Sequence, residues 1–530
     1  MARTALVDLL RRAAALAAIA QRTGEPLDEW IARERQHRID AGRRRFVRQA
    51  AGAAGLLTLA ACARVPLPRA TPPGDDVVIV GAGIAGLACA HRLRGAGIGV
   101  RVYEAQSRIG GRMLSLRGHF ADGQVCELGG ELIDSGHARM RTLAAELGLE
   151  LDDLAQDATA GFGDIWFHGG RRHSEQEILR AFAPLADAIA RDAATLPDQP
   201  ITYDAPGGAE ALDRESMTQW LDRQGASGWL RELVEVAYTT EMGLECDEQS
   251  ALNFLTFIDP GTEAFRIFGE SDERFHVRGG NDRVVQGLGA KLDDAIEVGA
   301  VLEALREDAD GRYVLSFKRG AGAFEVRAAR VVLALPFTTL RQVRLDVDLP
   351  RAKRRAIAEL GYGTNAKLMI GFDERVWHTR HASGGASYSD LPLQTTWETS
   401  RMQPGAAGIL TNFCGGRHGV AIGDGTPRQQ ADDAVRQLEA IFPGIGAARV
   451  GMREARFHWP SHPWSLGSYA CFRPGQWTTL RGATGERVGN LHFAGEHCAF
   501  DNQGFMEGGL ESGEWVAQAI LAEAGHKRAA

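Results

Sequence analysis

Apolar positions along the chain gather into short runs bounded by glycine, proline and charged residues, and these runs predict the first elements. Val77–Val80 is an unbroken apolar run that reads as a buried strand. A glycine-rich turn, a helix and a second strand ending at Glu104 follow it within residues 75–105. "ARVVLALPFTTL", residues 329–340, predicts another buried strand, and so does "GTNAKLMIGF", residues 363–372. The last of these sets Lys367 among apolar neighbours. A lysine in such a strand ordinarily runs its stem along the strand until the ammonium reaches solvent, as buried lysines are rare.

Composition widens this picture without changing it. With 530 residues, 44% of them hydrophobic and 24% charged, the chain has a soluble composition and enough core for two or more domains. The net charge of −8 is unevenly spread: residues 1–70 hold 13 Lys and Arg against 6 Asp and Glu, so the acidic excess lies in the rest. An acidic body argues against nucleic acid as a partner and suits cationic ligands. The seven cysteines form no C-x-x-C pair, so zinc, haem and redox dithiols are not expected; they read as buried thiols, with Cys62 as the exception, and no metal site is predicted.

Cys62 closes a distinctive leader. "RRRFVRQAAGAAGLLTLAACA", residues 43–63, sets a basic cluster before a run of small and apolar residues and ends on Ala61-Cys62-Ala63, the layout of an export signal. It is shorter than the ~20 apolar residues that span a bilayer. Arg43-Arg44-Arg45-Phe46-Val47-Arg48 resembles the twin-arginine type, which implies an exported, periplasmic protein. "LAAC", residues 59–62, also resembles a lipobox, in which Cys62 would carry a lipid anchor; an A-x-A cut is the alternative. Residues 1–42 form an Ala/Arg-rich, helix-prone extension with no assignable role, and 64–75 are a Pro-rich linker before the folded body.

Within "DDVVIVGAGIAGLACAHRLRGAGIGVRVYEA" the glycines fall as Gly81-x-Gly83-x-x-Gly86. Gly81 permits the tight turn, Gly83 lets backbone approach a pyrophosphate, and Gly86 lets helix and strand pack closely; Ala85 lies in the same turn. Phosphates would sit at the helix N-terminus, where unpaired N–H groups favour an anion. Glu104, 21 residues beyond Gly83, is placed to accept from ribose hydroxyls. A dinucleotide is expected, NAD or FAD.

"SRIGGRMLS", residues 107–115, follows at once, and R-x-G-G-R after the acidic strand resembles the FAD-binding flavin amine oxidase superfamily. That resemblance implies FAD, with Arg108 and Arg112 along its phosphates and flavin. "CELGGELID", residues 126–134, resembles the segment that passes Gly129 and Gly130 beside the flavin. Residues 275–292 and "IEVGAV", 296–301, are similar to the return to the cofactor domain, where the Val301 backbone would meet adenine. "HWPSHPWSLGSYACFRPGQW", residues 458–477, and "LHFAGEHCAFDNQGFMEGGLESGEWVAQAI", residues 491–520, resemble monoamine oxidases closely. By that likeness Trp459 packs near the flavin, Glu496 lies near its phosphate and sugar-like chain, and Met506 belongs to the segment opening the last helix. The dipole of that helix would favour the reduced anion. The implied fold is α/β, a discontinuous Rossmann-like FAD-binding domain (76–154, 271–345, 458–525) with a second α+β substrate-binding domain (155–270, 346–457) of amine oxidase type.

The same resemblance implies a chemistry. Tyr469 and Phe505 match the two members of an aromatic cage that orients an amine, and Lys367 matches the lysine that holds a water against flavin N5. Desolvation between two rings disfavours the ammonium, and the neutral amine is the reactive form. Ser468 stands where covalent members have cysteine, so FAD is expected to be non-covalent. The expected reaction converts an amine to an imine, then aldehyde or ketone, while O2 becomes H2O2. Alternatives are an L-amino-acid oxidase, although Leu132 replaces that family's carboxylate-binding arginine; a desaturase or isomerase of a hydrophobic substrate; and a non-catalytic flavin-binding protein. Glu241, Glu245 and Asp259 are candidates to hold a distal ammonium, with solvated or capping carboxylates as the plainer reading. Neither the identity of the amine nor the oligomeric state is legible in the sequence.

Overall fold

The computed structural model describes residues 77–157, 159, 161–257, 272–449 and 453–529. The export leader, Cys62 and Asp259 lie outside them. The predicted apolar run forms the strand Val77–Val80 at the centre of a five-stranded parallel sheet, in the order 491–493, 330–333, 77–80, 100–103, 296–297. Both faces of this strand are covered, which explains why it reads as a continuous run and not as an alternation. Val77 and Ile79 face the helix Ile84–Gly95 and the terminal helix Met506–Ala529. Val78 and Val80 face a four-stranded sheet that runs from Val301 to Asp346, packing with Leu302, Leu315 and Phe317. Residues 329–340 form only a four-residue strand, Arg330–Leu333, and then a short helix, Phe337–Leu340, because Pro336 lacks the N–H to continue the ladder.

The two covering helices cross at small residues. A Cβ at Gly513 would overlap the Ala85 carbonyl, and one at Gly509 would stand 2.8 Å from the Ile84 side chain. Glycine at these positions lets the helix backbones approach closely enough to seal the sheet.

A second, seven-stranded sheet is assembled from distant stretches in the order 454–458, 366–372, 408–414, 395–398, 383–389, 163–168, 171–173. The predicted strand is Ala366–Phe372, with every residue buried and antiparallel neighbours on both sides. Its period of two sends Ala366, Leu368, Ile370 and Phe372 to one face, against the helix Pro427–Ile441. The opposite face carries Lys367 and Met369, and Met369 packs on Phe120, Cys126 and Ile409. That face looks at the loop leading from the parallel-sheet half of the molecule. Helices between Glu175 and Leu255 pack around Trp166 and Tyr388 at the other end of the sheet. The six described cysteines are all buried free thiols, and none of the described helices is long and apolar enough to cross a membrane.

One glycine of the fingerprint gives a direct test of this packing. A Cβ at Gly86 would overlap the Gly81 carbonyl oxygen, which belongs to rigid backbone. Gly86→Ala is expected to cost roughly 1–3 kcal/mol, as overpacking usually does, and to lower the melting temperature by several degrees. An unchanged melting curve would show that the turn is looser than the structure has it.

Candidate active site

The carboxyl ends of four parallel strands open onto one elongated cavity. It encloses about 1670 Å³ of space between atoms, part of it open to solvent. Gly81 and Gly83 follow the first strand, Glu104 to Gln106 the second, Ala334 to Pro336 the fourth in sequence, and Gly495 and Glu496 the last. Ligands of open α/β sheets bind at this edge.

The nucleotide end is built by the glycine turn. Gly81 has φ +103°, a conformation that side chains resist, and a Cβ there would meet Ala334. Gly83 lines the cavity, yet no protein atom lies within 4 Å of where its Cβ would stand. The space beside it is open to the cavity. The first N–H groups of the helix Ile84–Gly95 have no side-chain cap, which fits an anion at that position. Glu104 is buried at the cavity wall; its two oxygens accept from the Ala82 N–H at 2.8 Å and the Gln106 N–H at 2.9 Å, and burial pushes its carboxyl above the ordinary range. Each oxygen retains a lone pair for a hydroxyl donor. Val301 lines the wall nearby, at the start of the four-stranded sheet. The residues present fit a dinucleotide.

Further along, Arg112 donates to the Ser468 carbonyl at 2.8 Å and to Glu496 at 2.9 Å. Glu496 also accepts from the backbone N–H groups of Ala470 and Gly504. This network fixes the segment that presents Tyr469 and the turn that presents Phe505. Trp459 donates from its indole to the Leu128 carbonyl at 2.9 Å. Gly129 and Gly130 pass between these groups with no room to spare: a Cβ at Gly129 would overlap the Arg112 carbonyl, and one at Gly130 would stand 2.8 Å from Met506. Arg112, Gly129, Gly130, Trp459, Met506, Tyr469 and Phe505 all line the same cavity.

Lys367 does not snorkel. Its ammonium is buried and donates to Glu131 Oε2 at 2.7 Å, to the Gly129 carbonyl at 2.8 Å and to the Glu127 carbonyl at 3.3 Å. The other Glu131 oxygen accepts from the Trp397 indole at 2.8 Å. Burial alone would raise the Glu131 carboxyl, but Lys367, Thr399 and Trp397 outweigh it and hold the group below the ordinary range. Tyr469 donates its hydroxyl to the Glu241 carbonyl at 2.6 Å, and burial pushes that phenol far up, so the ring is neutral and fixed. Phe505 packs edge-on against His137, with ring centroids 5.0 Å apart.

The structure departs from the sequence reading at several residues. Arg108 does not line the cavity; its guanidinium donates to the Ile109 and Gly111 carbonyls and braces its own turn. Gly86, although grouped with the cofactor turn, lies behind the wall, where it packs closely on Gly81 and Ala334. Neither Glu241 nor Glu245 lines the cavity, and Glu245 instead binds the Arg417 backbone N–H at 2.7 Å. Sequence reasoning missed Glu131 as the partner of Lys367, and missed Asn365, Trp397 and Phe413 as lining. A glutamate directly after Gly-Gly within an apolar segment was the available signal, because a buried carboxylate demands a cation.

Comparison with known proteins places this geometry. A family model described as flavin containing amine oxidoreductase matches residues 84–521. An L-amino acid dehydrogenase of Synechocystis sp. is 26% identical, covering 84% of this chain and 94% of that protein. Flavin-containing amine oxidase A of Sus scrofa is 25% identical, covering 84% and 85% respectively. Among solved structures, cyclohexylamine oxidase from Brevibacterium oxydans aligns with TM-score 0.73 at 24% identity, over 85% of this chain and all of that one. A putrescine oxidase bound to putrescine aligns with TM-score 0.72 at 22% identity, over 84% of this chain and 99% of that one. With the family match spanning most of the chain, this protein belongs to the flavin containing amine oxidoreductases and uses FAD.

Proposed function

We propose that the protein oxidises a simple amine to an imine, which hydrolyses to an aldehyde or ketone, with O2 reduced to H2O2. Bound FAD supplies the redox chemistry, taking a hydride equivalent from the carbon next to nitrogen and passing two electrons to oxygen. The protein's own residues position and desolvate. The observation that carries the reading is that Tyr469, Phe505 and Lys367 line the same cavity as Gly129 and Gly130, with the Lys367 ammonium donating to the Gly129 carbonyl. Two fixed aromatic faces orient the amine and disfavour its ammonium form, so the neutral nitrogen is presented. The 3.3 Å contact from Lys367 to the Glu127 carbonyl is the longest of its three.

A second reading, oxidation of L-amino acids, is favoured by the Synechocystis relative. Such a substrate needs a cation for its carboxylate. Arg112 is the only guanidinium among the described lining residues, and it is already bonded to Glu496 and the Ser468 carbonyl. This weighs toward the simple amine. The leader supports export to the periplasm, with Cys62 as a possible lipid-anchor position; mass analysis of the mature N-terminus separates cleavage from lipidation.

FAD binding is read as non-covalent. None of the described lining residues is a cysteine, Ser468 donates its hydroxyl to Asn365 at 2.7 Å, and burial pushes the Cys471 thiol up to about 12, leaving it unreactive. Acid precipitation is expected to leave the yellow colour in the supernatant; colour in the pellet would contradict this. Lys367→Met is expected to retain FAD and to lose most turnover with oxygen, read by a coupled peroxide assay. Unchanged turnover would remove Lys367 from the mechanism. On leader-free, FAD-loaded protein, peroxide is expected with primary or secondary alkyl and arylalkyl amines and not with L-amino acids; the reverse pattern would establish the second reading.

A further inference from the structure

The Lys367 ammonium has three protons, and three protein acceptors meet it. Two of these are carbonyls of the loop that carries Gly129, and the third is the carboxylate of Glu131. Glu131 is in turn held from its far side by Trp397, one strand beyond the neighbour of the Lys367 strand. Both side chains line the FAD cavity. On the reading that FAD occupies this cavity, we propose that Glu131 is a positioning residue for the oxidation. Its carboxylate fixes the Lys367 ammonium against the Gly129–Gly130 turn and offsets its charge beside the bound flavin.

A comparison within the molecule supports the idea. Lys353 is a second fully buried lysine; it donates to the Thr484 carbonyl at 2.8 Å and stands over the Phe493 ring at 3.7 Å, with no bonded carboxylate. Burial pulls its ammonium down to about 7. The Lys367 site differs from that one by the Glu131 carboxylate and by a second carbonyl acceptor. The other ionisable groups around the pair are already engaged or neutral. Glu127 turns its carboxylate to Ser115, the Asn281 N–H and His276, and although burial pulls the His276 ring down, that carboxylate outweighs it and holds the ring protonated more readily than usual. Burial drives the Cys126 thiol far up, so it stays neutral. The strands flanking Lys367 present Phe413 and Phe457 opposite it. No other described carboxylate bonds to the lysine.

The test uses the FAD-loaded full-length protein and reads the midpoint potential of the bound flavin against pH, from about pH 6 to about pH 9, without substrate. The wild-type curve is expected to show no added inflection across this range. In Glu131→Gln the lysine loses its partner and titrates within the range, as burial makes Lys353 do. The ammonium favours reduced flavin below that pKa and the favour is lost above it, so the potential falls with an added inflection. Glu131→Gln combined with Lys367→Met is expected to lack the inflection, and Glu131→Asp to resemble wild type. Superimposable wild-type and Glu131→Gln curves, or an inflection that survives in the double variant, would overturn the proposal. So would a raised KM for amine with an unchanged potential, which would make Glu131 a substrate contact. If Glu131→Gln does not load FAD, the double variant, with no lone buried charge, is expected to load it; failure of both would also overturn the proposal. Because no amine enters the potential measurement, a wrong substrate assignment leaves the potential curves unaffected, whereas a wild type that binds no FAD would refute the cofactor reading itself.

Discussion

The buried ion pair between Lys367 and Glu131 is the contact on which the arrangement of the cavity depends. The lysine belongs to a strand of the seven-stranded sheet; the glutamate and the two carbonyls that meet the ammonium belong to the loop descending from the parallel-sheet half. An isolated buried charge is costly, and removing one partner of a buried pair typically destabilises by about 3–5 kcal/mol. The two halves are therefore held in one register by groups that cannot be separated cheaply. Met369, Phe120 and Cys126 pack together on the same face of the sheet as Lys367.

Around this anchor the labour divides along the sheet edges. The carboxyl ends of parallel strands supply the nucleotide end, through glycines that leave room and a buried glutamate with spare lone pairs. The seven-stranded sheet supplies Lys367, Trp397 and Phe413, all projecting from strands and so from rigid backbone. Tyr469 and Phe505 come from loops, which the Glu496 carboxylate and Arg112 tie together through backbone donors and acceptors. Precise placement is achieved on regular elements, and elsewhere by backbone hydrogen bonds to the partly buried Arg112–Glu496 ion pair.

How much of this was legible in the sequence follows from the range of each interaction. The Gly81, Gly83 and Gly86 spacing works within a single turn, and its strand, helix and strand appear where the pattern puts them. The Lys367 strand was legible because its apolar residues form one short run around the lysine. Glu131 was not, because its partner lies 236 residues away and its loop has no period to say which way a side chain points. Arg108 illustrates the converse. A motif can mark a position while local carbonyls, those of Ile109 and Gly111, decide where the guanidinium goes. The short helix after Leu333 was hidden by an apolar run that continues past the strand, although Pro336 marked its end.

The central claim is that one cavity holds FAD and delivers a neutral amine to it. Anaerobic mixing of the FAD-loaded protein with a simple alkyl amine tests this in a single turnover. The account predicts that the flavin absorbance bleaches with one equivalent of amine consumed per flavin, and returns when oxygen is admitted. A flavin that stays oxidised under every amine tested, while an L-amino acid or a hydrophobic polyene bleaches it, would contradict the account.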